Sequence, residues 1–207
     1  MQRNTKVMPI TTPDAIKTAQ AIIARGGLVV FPTDTLYGLA CDYQNSEAIQ
    51  AIYRAKGRST AKALPVLIAN FDQLALLVRT PSPIAEKLMT KYWPGPLTLI
   101  LPKLENLPEA LTPYLGLAVR MPGHPFALEL LTQTGPLAVT SANLSDQPNP
   151  LDAEGVLAQL GGKIDLILDG GKLPPSPGST IVDCTTSQLK LVRAGAITLE
   201  ELNQTDH

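Results

Sequence analysis

Short apolar runs of strand length recur along this chain, each bounded by residues that start or stop helices. Leu28 to Phe31 is the first, a continuous apolar stretch that reads as a buried strand. Leu64–Ile68, Leu97–Leu101, Leu117–Met121, Leu137–Thr140, Ile164–Leu168, Thr180–Asp183 and Leu189–Val192 repeat the pattern. Helical segments lie between them. Thr12 reads as an N-cap with Pro13 in the first helical position and Asp14 behind it; this helix runs to about Arg25, and Gly26-Gly27 stops it. Ser46 opens a second helix with Ile49, Ile52 and Tyr53 on one face. Asn70 caps a third, holding Leu74, Leu77 and Val78, and Ser82-Pro83 starts a fourth that ends near Tyr92. Pro125–Gln133 and Asp152–Leu160 are helical, the latter closed by Gly161-Gly162, and Thr198 with Glu201 matches a capping box for a last short helix. Strands and helices alternate, so the class is α/β. A connection as short as Gly26-Gly27 cannot be a parallel crossover, which predicts a mixed sheet.

Composition narrows the picture. A chain of 207 residues with 44% hydrophobic content can bury one sizeable core, and one domain over residues 1–207 is the expectation, its core spanning roughly 12–200. Aromatic residues make up only 4%, so the core is built from Leu, Ile, Val and Ala. The formal net charge of −1 lacks the basic excess of a general nucleic-acid binder, although a local basic patch is compatible with it. Two cysteines without close spacing, Cys41 and Cys184, suggest no disulfide framework and fit a reducing compartment. The first twelve residues hold no signal-peptide core and no apolar run is long enough for a membrane span, which makes cytoplasmic the expected location.

Common catalytic signatures are missing. There is no phosphate-binding G-x-x-x-x-G-K-[ST] loop, no G-x-G-x-x-G, no H-E-x-x-H and no G-x-S-x-G. Two histidines, His124 and His207, leave too few ligands for a His/Cys metal site. What the chain offers instead is a set of polar clusters at the ends of apolar strands, where α/β sheets tend to bind ligands. Thr33-Asp34-Thr35-Leu36-Tyr37 presents two hydroxyls, a carboxylate and a phenol, which on residue types alone read first as a turn that satisfies itself and also suit a small ligand with an amine and a hydroxyl. Arg54-Ala55-Lys56-Gly57-Arg58 places three cations at the end of a helix, with Lys62 just beyond; Lys56 and Arg58 suit an anion, and the run also fits simple placement of cations at a helix C-terminus. Arg120 through His124 offers a carboxylate-binding fork or an ordinary surface arginine beside a structural histidine. Thr140-Ser141-Ala142-Asn143 combines small side chains with donors and acceptors, or is a plain strand-to-loop turn. Ser179-Thr180 and Arg193-Ala194-Gly195 are weaker pieces of the same kind.

Taken in order, these segments resemble the YrdC-like family. The resemblance rests on Gly26-Gly27 through Tyr37-Gly38-Leu39, Lys56-x-Arg58, Lys62-Ala63-Leu64, Trp93-Pro94-Gly95-Pro96-Leu97-Thr98, Leu117 through His124, Thr140-Ser141-Ala142-Asn143, Ser179 to Asp183 and Leu191 to Ile197. It implies a twisted, open, mixed sheet with helices packed on it. It also implies a nucleotidyltransferase that condenses L-threonine, bicarbonate or CO2, and ATP into threonylcarbamoyl-AMP and pyrophosphate, for a tRNA modification completed by partner proteins. By that resemblance Lys56, Arg58, Ser141 and Asn143 are the catalytic, phosphate-gripping set, with Ser179 and Arg193 beside the same ATP; Thr33, Thr35, Tyr37, Arg120, His124 and Thr140 bound the threonine pocket. Mg²⁺ is expected to arrive on the ATP phosphates rather than in a protein cage.

Two positions depart from the family pattern: Leu67 stands where many members carry a histidine, and Asp146 where glycine is expected. Longer members add a second domain, so this chain resembles the short form. The competing expectation is a non-catalytic module binding double-stranded RNA or tRNA through Arg54 to Arg58. A third is a related carbamoyl-transfer enzyme with another substrate.

Overall fold

The structure is a computed structural model that describes residues 3–186 and 188–203; His207 lies outside them. The chain begins with strand β1 (Lys6–Pro9), helix α1 (Ala15–Ala24), β2 (Val29–Pro32), β3 (Tyr37–Asp42) and α2 (Ser46–Lys56). β4 (Val66–Leu67), α3 (Phe71–Leu74), α4 (Pro83–Tyr92), β5 (Leu97–Pro102) and β6 (Gly116–Arg120) follow. The rest is α5 (Pro125–Thr134), β7 (Leu137–Ser141), α6 (Ala153–Leu160), β8 (Leu166–Asp169), β9 (Thr180–Asp183), β10 (Lys190–Arg193) and α7 (Leu199–Asn203).

All ten strands join one open sheet in the order β1-β8-β2-β3-β7-β4-β6-β5-β9-β10. It is mixed, as the short connections require: β1, β8 and β2 run parallel, β3 is antiparallel to β2 and β7, and β5 is antiparallel to β6 but parallel to β9. Two strands escape sequence reading. β3 carries Leu39, Ala40 and Cys41 buried on both faces, so it shows no alternation. β1 is an edge strand with mostly exposed side chains, including Val7 at 46% exposure, and so carries no apolar pattern.

Several boundaries move by one or two residues. α1 starts at Ala15 behind Asp14, not at a Thr12 cap, because residues 12–15 close a turn in which Ala15 N–H donates to Thr12 O. Asn45, not Ser46, caps α2 by accepting from Ala48 N–H. Only Val66 and Leu67 of the 64–68 run pair in the ladder. α3 is one turn, although Leu74, Leu77 and Val78 are all buried. The caps at Asn70, Ser82 and Asp152 are as expected, and Gly26 stops α1 at φ +78°.

The two faces of the sheet are covered unequally. On one, Leu39, Val66, Leu97, Leu99, Val119 and Val182 pack with α2, α4 and α6. On the other, α1 and α5 lay Ala19, Ile22, Ala127, Leu130 and Leu131 against Val29, Phe31, Ala40, Leu67, Leu137 and Val139. Beyond β4 this second face opens: Ile100, Ala118 and Ile181 are only half-buried, alternating with the fully buried Leu99, Leu117 and Val182.

The sheet is also strongly coiled. β7 is antiparallel to β4, which is parallel to β6, so a flat drawing puts the C-terminal ends of β6 and β7 at opposite edges. Yet Arg120 at the end of β6 bonds to Asp34 and Thr35 in the β2–β3 turn, at the same edge as the end of β7. Only coiling of the ladder brings these together.

Leu39 lies in the middle of this arrangement and is fully buried. Leu39→Ala is expected to lower unfolding free energy by about 2–5 kcal/mol, read by urea denaturation; a loss below about 1 kcal/mol would show that the centre of the ladder is not the packed core.

Candidate functional site

Local sequence positions the first half of the site. Gly57 ends α2 in the left-handed conformation (φ +60°), and Arg58 N–H donates back to Tyr53 O. That turn sends Lys56 inward, where it is 3% exposed. Its ammonium donates to Ser141 O (2.6 Å), Asn143 O (2.5 Å) and Asn143 Oδ1 (3.1 Å). Ser141 Oγ donates to Asn143 Oδ1 at 2.6 Å, and Asn143 Nδ2 donates to Leu144 O and Gln147 O. Lys56, Ser141 and Asn143 are therefore one network. Its bonded acceptors are uncharged oxygens, so burial pushes the lysine down to about 7, with the Arg58 charge as the second cause.

Arg58 joins this half of the site. One of its terminal nitrogens donates to Ala63 O, and its Nε is buried without a hydrogen-bond partner among the described residues. A buried donor left in that state is costly, and an anion would satisfy it. The other two cations of the basic run do not join: Arg54 forms an exposed pair with Glu47, and Lys62 lies on the surface.

The second half is built around Arg120, which is 6% exposed. Its Nε donates to Gly95 O (2.9 Å), Nη1 to Thr35 Oγ1 (2.8 Å), and Nη2 pairs with Asp34. Burial lowers the Arg120 pKa, Asp34 offsets part of that effect, and the nearby Arg193 charge adds to the lowering. Thr33 Oγ1 donates to Leu36 O at 2.7 Å and lies 3.2 Å from Thr35 Oγ1, so Thr35 must donate to Thr33. Both hydroxyl protons are thus engaged inside the turn. Thr33 Oγ1 also accepts from Thr35 N–H and Leu36 N–H (3.2 Å each), so its lone pairs are used inside the turn; of the two hydroxyls, Thr35 Oγ1, which accepts from Arg120 Nη1, keeps a lone pair for an amine or hydroxyl donor.

Register decides which predicted residues share this face. Leu67 pairs with Arg120 and with Leu137, placing the guanidinium on the α1/α5 side with an apolar floor of Leu67 and Val139 beside it. Ser141 pairs with Gly38 and alternates with Val139 onto the same face. A Cβ at Gly38 would sit 2.7 Å from Val139 Cγ1 and 3.9 Å from Thr33 Cγ2, so glycine here lets the two halves meet. Thr98 and Ser179 share a 2.8 Å hydroxyl contact on this side, and Arg193 donates to Ser179 O and Oγ.

Two members of the predicted threonine pocket are not brought to Arg120. Thr140 pairs with Leu39, so alternation turns its side chain to the opposite face from Ser141. Tyr37 also faces that side, and its hydroxyl donates to Gly171 O (2.7 Å) and accepts from Gly170 N–H (3.0 Å). His124 lies near Asp34, but its Nδ1 accepts from Ala127 N–H and caps α5. Burial lowers its pKa, so at neutral pH the ring is uncharged with its proton on Nε2.

Sequence reasoning left two participants out of the site: Asp34, visible inside the Thr33–Tyr37 cluster but read without its partner, and Thr98, an unremarkable strand residue. Asp146 is explained by the backbone. It has φ +64°, a conformation that glycine takes freely and aspartate tolerates better than most residues.

Comparison with known proteins adds the following. The Sua5–YciO–YrdC family model, described as "Telomere recombination", matches residues 21–195. A threonylcarbamoyl-AMP synthase of Pyrococcus abyssi is 41% identical over 191 residues, covering 91% of this chain and 56% of that protein. A Bacillus subtilis protein of the same name is 42% identical over 198 residues, covering 93% of this chain and 56% of that one. The chain thus spans a little over half the length of these two relatives. The crystal structure of P. abyssi Sua5 complexed with L-threonine superposes with a TM-score of 0.89 at 38% identity, over 99% of this chain and 60% of that one.

Two outcomes are expected from this geometry. Asp34→Ala leaves the Arg120 charge buried and unpaired, and is expected to cost about 3 kcal/mol in urea denaturation; an unchanged midpoint would mean that the pair is not the tie described. Asp146→Gly relieves the positive-φ backbone and is expected to stabilise by about 0.5–1 kcal/mol, seen as a raised Tm, whereas Asp146→Ala is expected to lower it.

Proposed function

As this chain belongs to the Sua5–YciO–YrdC family, we propose that it is a threonylcarbamoyl-AMP synthase, a nucleotidyltransferase joining L-threonine, CO2 or bicarbonate, and ATP. The observation that carries the reading is the meeting, across one coiled sheet, of a buried cationic network at Lys56, Ser141 and Asn143 with a guanidinium held among Asp34, Thr35 and Gly95. An anionic and an amine-bearing ligand would be held side by side. Relatives named for this activity, and a similar structure complexed with L-threonine, support it.

In this reading threonine's carboxylate meets the remaining N–H groups of Arg120, and its amine or hydroxyl donates to Thr35. The amine nitrogen adds to CO2 and loses a proton, giving a carbamate. A carbamate oxygen then attacks the α-phosphorus, and pyrophosphate leaves with the bond electrons. No protein nucleophile takes part. The protein contributes position and charge neutralisation. Lys56 and Arg58 face the phosphates, Ser141 and Asn143 shape the loop that receives them, and Ser179 with Arg193 extends the same surface. Mg²⁺ enters on the nucleotide, where it keeps most of its waters. The product passes to partner proteins acting on tRNA. No helix among the described residues is long and apolar enough to cross a membrane.

The test is pyrophosphate release from purified protein with ATP, bicarbonate and a panel of amino acids. Release is expected only when threonine and bicarbonate are both present. Lys56→Ala is expected to cut it by about 100-fold or more while circular dichroism stays unchanged. Release with no amino-acid requirement, or full activity in that variant, would reject the assignment.

The lysine also predicts a pH dependence. Free Lys56, lowered to about 7, is cationic below that pH and neutral above it. A bound triphosphate raises its pKa again, so ATP binding takes up a proton. Affinity is expected to fall above pH 7, by at most about tenfold per unit. Calorimetry in buffers of different ionisation enthalpy reads the uptake directly, and no net proton uptake between pH 7 and 8.5 would contradict it.

A further inference from the structure

Between β8 and β9 the chain crosses from the second strand of the sheet to the ninth, using only residues Gly170–Ser179. Seven strand spacings of about 4.8 Å make roughly 34 Å in a flat sheet, and the ends lie at opposite edges besides. The eleven residue steps from Asp169 to Thr180 reach about 36–40 Å when fully extended, so a flat sheet would leave this connection almost no slack. Across the coil the path is shorter, and the segment forms a strap joining the same two edges that Arg120 and Asp34 join.

The strap is tied at both ends. At its start Gly170 N–H donates to Tyr37 Oη and Tyr37 Oη donates to Gly171 O, while Gly171 N–H donates to Asp169 Oδ1. Leu173 N–H then donates to Leu151 O, in the loop that follows Asn143. At its end Gly178 O accepts from Ala196 N–H and Thr180 N–H donates to Pro96 O. A Cβ at Gly178 would lie 3.3 Å from Arg193 Nη2 and 3.6 Å from Leu36 Cδ1, so the strap passes directly by the Thr33–Leu36 turn. Between the ties Pro174, Pro175 and Pro177 have no N–H to donate and stiffen the segment. Tyr37 is 1% exposed, and removal from water keeps its phenol protonated and able to donate.

We propose that Tyr37 is a positioning residue: its hydroxyl anchors the Gly170–Ser179 strap, and the strap holds the phosphate-facing and Arg120-facing halves of the site at their working separation. This explains why a phenol set among the site's polar residues points away from Arg120. It rests on the functional reading above only for its kinetic consequence.

Lys172 is exposed in the strap and followed by Leu173, so trypsin can cut there. Tyr37→Phe keeps the packed ring and removes both bonds. Limited trypsinolysis without ligands, followed by mass spectrometry, is expected to show cleavage after Lys172 about 5- to 30-fold faster than in the wild type, the scale of one or two net hydrogen bonds. In the pyrophosphate assay the KM values for both ATP and threonine are expected to rise several-fold, by more than kcat falls. Cleavage at the wild-type rate would overturn the anchor, and faster cleavage with unchanged KM would overturn the positioning role.

If Tyr37→Phe fails to fold, the pair Pro174→Gly and Pro175→Gly loosens the strap with Tyr37 in place. It is expected to show the same faster cleavage and raised KM, and wild-type values in both would again overturn the proposal. If the wild-type protein shows no threonine-dependent turnover, the functional reading falls together with the kinetic arm, and the cleavage rates alone decide the anchor.

Discussion

Arg120 reaches from the end of β6 to the turn between β2 and β3, and the rest of the site depends on that reach. A guanidinium with 6% exposure needs its N–H groups satisfied, and here two separate segments satisfy them: the carbonyl of Gly95, and the β2–β3 turn with the hydroxyl of Thr35 and the carboxylate of Asp34. Both segments are distant in sequence from Arg120, so the interaction exists only when the sheet has coiled. Coil and ion pair require one another. The coil supplies the partners, and the cost of a buried unpaired arginine opposes any arrangement in which the ladder flattens.

The half built around Lys56 is organised on a contrasting principle. Lys56 is as buried as Arg120, but oxygens of Ser141 and Asn143 surround it where Arg120 has a carboxylate. An ammonium in that setting is held in place without being neutralised. It orders the Ser141–Asn143 segment and keeps an attraction for an anion. Arg58, whose buried Nε lacks a partner among the described residues, adds to the same demand. The Asp34–Arg120 side is internally balanced, and the Lys56–Arg58 side is not. That asymmetry suits a small zwitterion at one and a polyphosphate at the other.

Much of the architecture could be read along the chain. Helix starts at Asn70, Ser82 and Asp152, the stop at Gly26 and most strands follow from capping chemistry and apolar run length, which act over a few residues. β3 and β1 could not, because one is buried on both faces and the other is mostly exposed, with Met8 alone packed against the core. In the site, Lys56, Ser141 and Asn143 were legible as one set through the order of motifs, and the structure joins them. Arg54 belongs to the same basic run by sequence and stands on the surface instead, because α2 turns it outward toward Glu47.

What the sequence alone determined was local: the class of fold, the mixed sheet, the helix end that carries Lys56 and Arg58, and the polar clusters at strand ends. What only the tertiary structure decided was which clusters share a face. Neighbouring residues in a strand point to opposite sides, so a one-residue difference separates Ser141 from Thr140, and coiling of the sheet brings Arg120 to Asp34 although strand order places their ends at opposite edges. Register and coil arise from packing summed over the whole molecule, and no stretch of a few residues contains that information.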